Sequence, residues 1–175
     1  KSSKKIKFNN FRSEYMDISK DTFYNSSKIK GKDVYIVGSD QVWNNELTHN
    51  DKTYFLGFCQ GHEKRIAYAA SIGKDILTAE DKTYLKENIS KIEHISVRED
   101  SAVKIINELI GKNVDHVLDP TLLADRCVWD KLICTKNNKS KYLLIYRLSD
   151  NEEVLQAAES ISRRLNLKVL YITST

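Results

Sequence analysis

Cysteine and proline are scarce in this sequence, and long apolar runs are missing. The three cysteines, Cys59, Cys127 and Cys134, are odd in number, form no C-x-x-C pair and have no histidine at zinc spacing. Neither a disulfide framework nor a metal site is indicated, and a reducing cytoplasm is the expected setting. No apolar run approaches the length of a membrane span, and the opening lysines and serines lead into no hydrophobic region. Neither a spanning helix nor a signal peptide is therefore expected. Charge of one sign is lacking too: 28 basic residues against 24 acidic ones leave a net +4, spread thinly except at Lys1, Lys4, Lys5 and Lys7. Without interleaved aromatics or a groove-reading helix, that cluster reads as solvation, and no nucleic-acid partner is expected.

What is present is a chain of 175 residues with 41% hydrophobic content, enough for one domain, or for one domain and part of another. Its organising stretch is DVYIVGSDQVWN at 33–44. The run Val34-Tyr35-Ile36-Val37 is too short for a helix and apolar on both faces, so it reads as a strand buried between layers. Gly38 ends it. Ser39, Asp40 and Gln41 then stand where a parallel strand gives way to a loop, the edge at which open α/β sheets place ligands. Trp43 follows as an apolar anchor.

Residues 1–30 scatter Phe8, Phe11, Tyr15, Met16, Ile18, Phe23, Tyr24 and Ile29 at no sustained period, which predicts a short helix or extended segments packing aromatics onto a sheet. RIAYAA at 65–70 is a second strand, ending in Ser71-Ile72-Gly73. Residues 78–91 predict a helix, with Thr78 and Asp81 spaced as a capping box. His94 to Val97 make a third strand. Residues 101–110 carry Ala102, Val103, Ile106, Leu109 and Ile110 on a helical stripe, closed by Gly111. Residues 114–118 predict a fourth strand, stopped at Asp119-Pro120-Thr121, where the single proline removes a donor. Strands alternating with crossovers predict α/β architecture with a parallel, Rossmann-like sheet.

After Leu123 the texture changes. Residues 129–133 are a short amphipathic piece, and TKNNKSK at 135–141 is the expected linker, dividing a first domain over 1–134 from the start of a second over 142–175. There Tyr142 to Tyr146, a helix over 151–165 and Lys168 to Ile172 form one β-α-β unit of a second Rossmann-like domain. Thr175 follows directly on a strand-like run, so a piece of a larger protein is expected.

Three predicted strand ends carry polar residues: Gly38 to Gln41, Ala70 to Gly73 and Val97 to Glu99. In a parallel sheet all three lie on one edge. Arg98 among small residues suits a phosphate or carboxylate, and equally suits pairing with Glu99, Asp100 or Asp40. Asp40 is either a base or the cap of a helix from Gln41. His49, His62, His94 and His116 lack a nucleophile and acid at interpretable spacing; His116, inside a strand, reads as a hydrogen-bonded core or edge group. Cys59 reads as a small hydrophobe, and Trp43 and Trp129 as core or hinge anchors.

GSDQVWN at 38–44, RIAYAASIG at 65–73, ISVREDS at 95–101 and VLDPTLL at 117–123 together resemble, in order and spacing, the motifs of the polysaccharide pyruvyl transferase family, over roughly residues 30–148. The resemblance implies two Rossmann-like domains arranged as in B-type glycosyltransferases, with the active site between them. It implies transfer of the enolpyruvyl unit of phosphoenolpyruvate onto two sugar hydroxyls, giving a cyclic ketal on a polysaccharide or cell-wall glycan. The donor would be a substrate with no cofactor or metal. The acceptor would be a glycan or lipid-linked sugar, handled by a cytoplasmic enzyme peripherally associated with membrane-bound polysaccharide machinery.

Carried onto this sequence, the resemblance makes Arg98 a ligand of the donor anion and Asp40 its catalytic companion. It makes Ser39, Gln41, Ser71 and Glu99 cleft-lining, substrate-binding candidates, along with Asp119, which before a proline also serves simply to fix a turn. The chain departs from the family in lacking a glycine-rich first strand and most of the second domain, which in the family supplies a histidine and further basic residues. By itself this stretch is expected to be inactive. The alternatives are a sugar-nucleotide-dependent glycosyltransferase of the same architecture, a non-catalytic subunit of a polysaccharide-assembly complex, and a plain ligand-binding α/β module.

Overall fold

The structure is a computed structural model that describes residues 2–16, 18, 29, 31–133 and 140–173. Lys1, Phe23, Tyr24, Cys134 and residues 135–139 of the expected linker lie outside the described residues. The chain divides into two compact units, Lys1–Arg126 and Cys127–Thr175.

The first unit runs α1 (Ser2–Tyr15), β1 (Val34–Val37), a short helical turn α2 (Asn45–Thr48), a 3₁₀ turn at Lys52–Phe55, β2 (Lys64–Ala70), α3 (Ala79–Ile89), β3 (His94–Val97), α4 (Asp100–Ile110), β4 (Asp115–His116) and a 3₁₀ turn at Pro120–Leu122. The strands form one parallel sheet in the order β1-β2-β3-β4. This is the α/β, Rossmann-like arrangement that the alternation of strands and crossovers predicts.

Local chemistry explains the element boundaries. Asp81 N–H donates to Thr78 Oγ1 at 3.1 Å and Thr78 N–H returns to Asp81 at 3.4 Å, a reciprocal cap that starts α3. Gly111 ends α4 with φ 65°. The core gathers Ala67, Ala70, Ile72, Leu85, Ile89, Ile92, Val97 and Ile106, with Trp43 and Phe55 beside the first crossover.

Three expectations change. Among the described residues β1 is not buried between layers: as an edge strand pairing there only with β2 it leaves Val34 and Ile36 exposed, while Tyr35 is half-buried and Val37 buried. Of the early aromatics, the described Phe8, Phe11 and Tyr15 do not pack onto the sheet either. Phe8, Phe11 and Tyr15 are exposed on α1, where Phe11 and Tyr15 meet each other at 5.0 Å, the (i, i+4) contact that a helix surface provides. Trp129, on α5 (Arg126–Leu132), is exposed as well and is no core anchor. Cys59 is buried, as a small hydrophobe should be, and that burial raises its thiol pKa.

A bulge in β2 sets the path of the chain into the loop at Ser71. The register against β3 shifts between Ala67 and Ala70, Ala69 takes φ 51°, and the ladder is mended by a side chain. Ser96 Oγ accepts from Ala69 N–H and donates to Ala67 C=O, each at 3.2 Å. Bulges re-aim the residues after them, here Ala70 and Ser71. Ser96→Ala strands a buried amide and is expected to cost about 1–3 kcal/mol, read as a lower urea midpoint; an unchanged midpoint would remove this role from Ser96.

In the second unit β5 (Tyr142–Arg147) and β6 (Lys168–Thr173) pair in parallel across α6 (Glu152–Leu165). Asn151 Oδ1 accepts from Val154 N–H at 3.1 Å and Asn166 closes the helix at φ 49°. Ile145 and Ala158 are buried, so one face of the pair is covered, while Leu144 and Tyr146 on the other are exposed.

Candidate active site

Because β1 to β4 are parallel, their carboxyl ends share one edge of the sheet, and the site is built there. β1 feeds Gly38 at φ 123°, packed so tightly on β2 that a Cβ would overlap the Tyr68 carbonyl; only glycine fits. The loop after Gly38 is tied to β2 by backbone: Ser71 N–H donates to Asp40 C=O at 2.9 Å, Val42 N–H to the same oxygen at 2.7 Å, and Trp43 N–H to Ser71 C=O at 3.0 Å. Trp43 is buried beneath this loop. Its indole N–H reaches Tyr54 C=O at 3.1 Å, its ring stacks on Phe55 at 5.8 Å, and Phe55 meets Tyr84 edge-on at 5.7 Å.

At the centre stands Arg98, first residue beyond β3. Its Nε donates to Glu99 Oε1 at 3.1 Å, Nη1 to Asp119 Oδ2 at 3.0 Å and Nη2 to Asp40 Oδ1 at 3.1 Å. Burial works to lower the guanidinium pKa, but its hydrogen bonds to Glu99, Asp119 and Asp40 outweigh it and the net shift is upward. Ser39 Oγ donates to the same Asp119 Oδ2 at 2.8 Å, so residues following β1, β3 and β4 meet on one carboxylate.

Asp119 fixes a turn and faces the site at once. Its Oδ1 accepts from Thr121 N–H at 3.0 Å and Thr121 Oγ1 at 2.8 Å, while Oδ2 serves Ser39 and Arg98. Those bonds, Thr121 first, then Ser39 and Arg98, hold its pKa far below the ordinary 3.8. A carboxyl depressed in the folded state stabilises the fold fully above its unfolded pKa and loses that contribution as the pH falls through and below it. Asp119→Asn is therefore expected to be less stable than wild type at neutral pH, with the gap narrowing as the solution is acidified from about pH 5 to pH 3. Urea midpoints at both ends measure this, and a constant gap would mean that ionised Asp119 is not what holds the turn.

The remaining predicted residues fall into two groups. Glu99 lies beside Arg98, its Oε2 buried without a hydrogen-bond partner among the described residues. Gln41 is half-buried, its Oε1 accepting from Asn44 Nδ2 at 2.7 Å. Ser71, by contrast, is fully buried, its hydroxyl accepting from Gly73 N–H at 3.1 Å; it holds the loop from behind the edge. Asp40 is not a helix cap: it sits at φ 67°, and the cap of α2 is Asn44, which accepts from Glu46 N–H at 3.1 Å.

Sequence reasoning passed over Thr121 and the links of His116. That imidazole is an edge group, with Nε2 3.0 Å from Arg98 C=O and Nδ1 2.9 Å from Asp100 Oδ1; Asp100, a predicted partner of Arg98, is engaged there instead. The signal was the register, which sets His116 opposite Val97. Among the described residues, no cluster of His, Cys, Asp or Glu is arranged to hold a metal ion, and no helix is long and apolar enough to cross a membrane.

Comparison with known families shows where the chain belongs. The family model for polysaccharide pyruvyl transferase matches residues 1–172. The chain belongs to the polysaccharide pyruvyl transferase family. No curated protein and no solved structure is significantly similar to it. Membership in this family points to a transferase, with pyruvyl transfer to a glycan as the family's activity in general terms. The four motifs that carry the resemblance map onto the strand ends: GSDQVWN follows β1, RIAYAASIG runs from the second residue of β2 past its end, ISVREDS from the second residue of β3 into α4, and VLDPTLL follows β4.

Proposed function

We propose that this edge is one wall of a site that transfers the enolpyruvyl unit of phosphoenolpyruvate onto two hydroxyls of a sugar, as a cyclic ketal on a polysaccharide or cell-wall glycan. The observation that carries the reading is Arg98, held at the meeting point of three parallel strand ends with the Asp40 carboxylate at its exposed rim. Arg98 takes an anionic group of the donor. Glu99 and Asp119 orient the guanidinium, Ser39 fixes Asp119, Ser71 supports the loop, and Gln41 lies beside Asp40.

The chemistry asks for a base and an acid. One sugar hydroxyl adds to C2 of the donor and gives its proton to Asp40, while the C2–C3 π pair takes a proton at C3 from a general acid, which regains it from Asp40 through solvent after turnover. The second hydroxyl then forms its bond to C2, the C2–O bond to phosphate breaks, and the leaving phosphate takes the second proton. Two hydroxyl protons are lost, C3 gains one, and inorganic phosphate is the co-product. The resemblance puts the remaining donor ligands, a histidine and basic residues, in the second Rossmann-like domain of a B-type glycosyltransferase-like whole, begun here by β5-α6-β6 after the polar stretch 135–141.

A cytoplasmic enzyme working at membrane-bound polysaccharide machinery on a glycan or lipid-linked sugar completes the proposal. Its test is release of inorganic phosphate from phosphoenolpyruvate by the full-length protein, dependent on acceptor glycan and giving an acid-labile ketal. Turnover of a sugar nucleotide without phosphoenolpyruvate consumption would instead establish a glycosyltransferase, and binding of neither donor a non-catalytic subunit.

A further inference from the structure

The three carboxylates around Arg98 are not held alike. Asp119 has a side-chain exposure of 22% and Glu99 of 34%, but Asp40 of 82%. Asp119 is fixed by Thr121 and Ser39 as well as by Arg98. Among the described residues, the Asp40 carboxylate has only Arg98 Nη2 as partner. Its backbone is nonetheless pinned, since the Asp40 carbonyl accepts from both Ser71 and Val42. The side chain can thus leave Arg98 by rotating about its own bonds, with no movement of the loop.

We propose that Asp40 is a displaceable occupant of the outer edge of Arg98, which gives way when an anionic donor arrives. This rests on the proposed role of Arg98 in donor binding. An exposed ion pair is weak because water screens it and holding it costs side-chain entropy, so Asp40 is the partner that exchanges, while Asp119 and Glu99 keep the guanidinium plane oriented. The exchange also sets the order of events. While Asp40 is paired with Arg98 its oxygen is committed to a cation; once the donor holds Arg98, the carboxylate is free to accept a hydroxyl proton. Donor binding therefore arms the base, and acceptor reacts second.

Calorimetric titration of the full-length protein with phosphoenolpyruvate, and separately with inorganic phosphate, tests this on wild type, Asp40→Asn and Arg98→Ala. Asparagine tolerates the positive φ at this position, and Asp40→Gly, which tolerates it equally, guards against an effect peculiar to one side chain. Both Asp40 variants are expected to bind phosphoenolpyruvate about two- to fivefold more tightly than wild type, the gain from removing one exposed competitor, and Arg98→Ala to bind at least about tenfold more weakly. If Arg98→Ala weakens binding but neither Asp40 variant tightens it, the displacement idea is overturned and the donor reading stands. If Arg98→Ala binds like wild type, the donor reading falls and takes this inference with it.

Discussion

Arg98→Ala in the full-length protein is expected to lower kcat/KM for phosphoenolpyruvate by about 10²- to 10³-fold, the range seen when one preorganised charge-stabilising donor is removed from an active site. Two losses combine. The donor anion forfeits a planar, forked cation, and Asp40, Glu99 and Asp119 are left facing one another without it. The second loss also acts on the fold, because like charges left in proximity repel; the thermal midpoint should fall along with activity. Arg98→Lys separates the two. A lysine keeps the charge but cannot serve three carboxylates in one plane, so the midpoint should partly recover while kcat/KM stays low. Normal turnover of phosphoenolpyruvate by Arg98→Ala would falsify the role assigned to this residue.

Trp43→Ala is expected to destabilise the first unit by about 3–5 kcal/mol, as large buried aromatics do when truncated to alanine. Trp43 is 4% exposed, and its ring, Phe55 and Tyr84 form a contiguous aromatic stack under the crossover from β1 to β2. The same residue donates its backbone N–H to Ser71, so the loop bearing Ser39, Asp40 and Gln41 rests directly on it. Trp43→Phe should recover much of the stability but not the indole bond to Tyr54. Urea denaturation measures both variants; a loss under about 1 kcal/mol for the alanine variant would show that Phe55 and Tyr84 close the gap by themselves.

The charge balance of the edge bears on the proposed chemistry. Three carboxylates against one guanidinium leave this cluster net negative, while phosphoenolpyruvate carries a phosphate and a carboxylate. This wall therefore favours orienting a single arginine and accepting protons from hydroxyls, and further positive charge for the donor must come from other residues. Displacement of Asp40 relieves part of the conflict by moving the most exposed negative charge away from the incoming anion.

Much of the fold was legible because its signals are local. Short β-branched runs, the Thr78–Asp81 spacing, the Ala102 to Ile110 stripe and the glycine at 111 each act through neighbours within one turn or one strand, and each stands where the sequence puts it, except that the strand expected over 114–118 shortens to Asp115–His116. The polar residues at the strand ends were legible too, as were the motifs that mark the family. What the chain could not reveal linearly was which partner each residue meets. That Asp119 rather than Asp100 closes on Arg98, that Ser71 is buried behind the edge and that Val34 and Ile36 face outward all depend on strand order and on the bulge at Ala69. The sequence by itself determined the strands, helices, caps and the polar composition of the edge, because those follow from short-range sterics and periodicity. The tertiary structure alone decided that Asp119 joins Glu99 and Asp40 around Arg98 and that Asp40 is the loose one, because Asp119 and Asp40 reach Arg98 from 21 and 58 residues away in the chain.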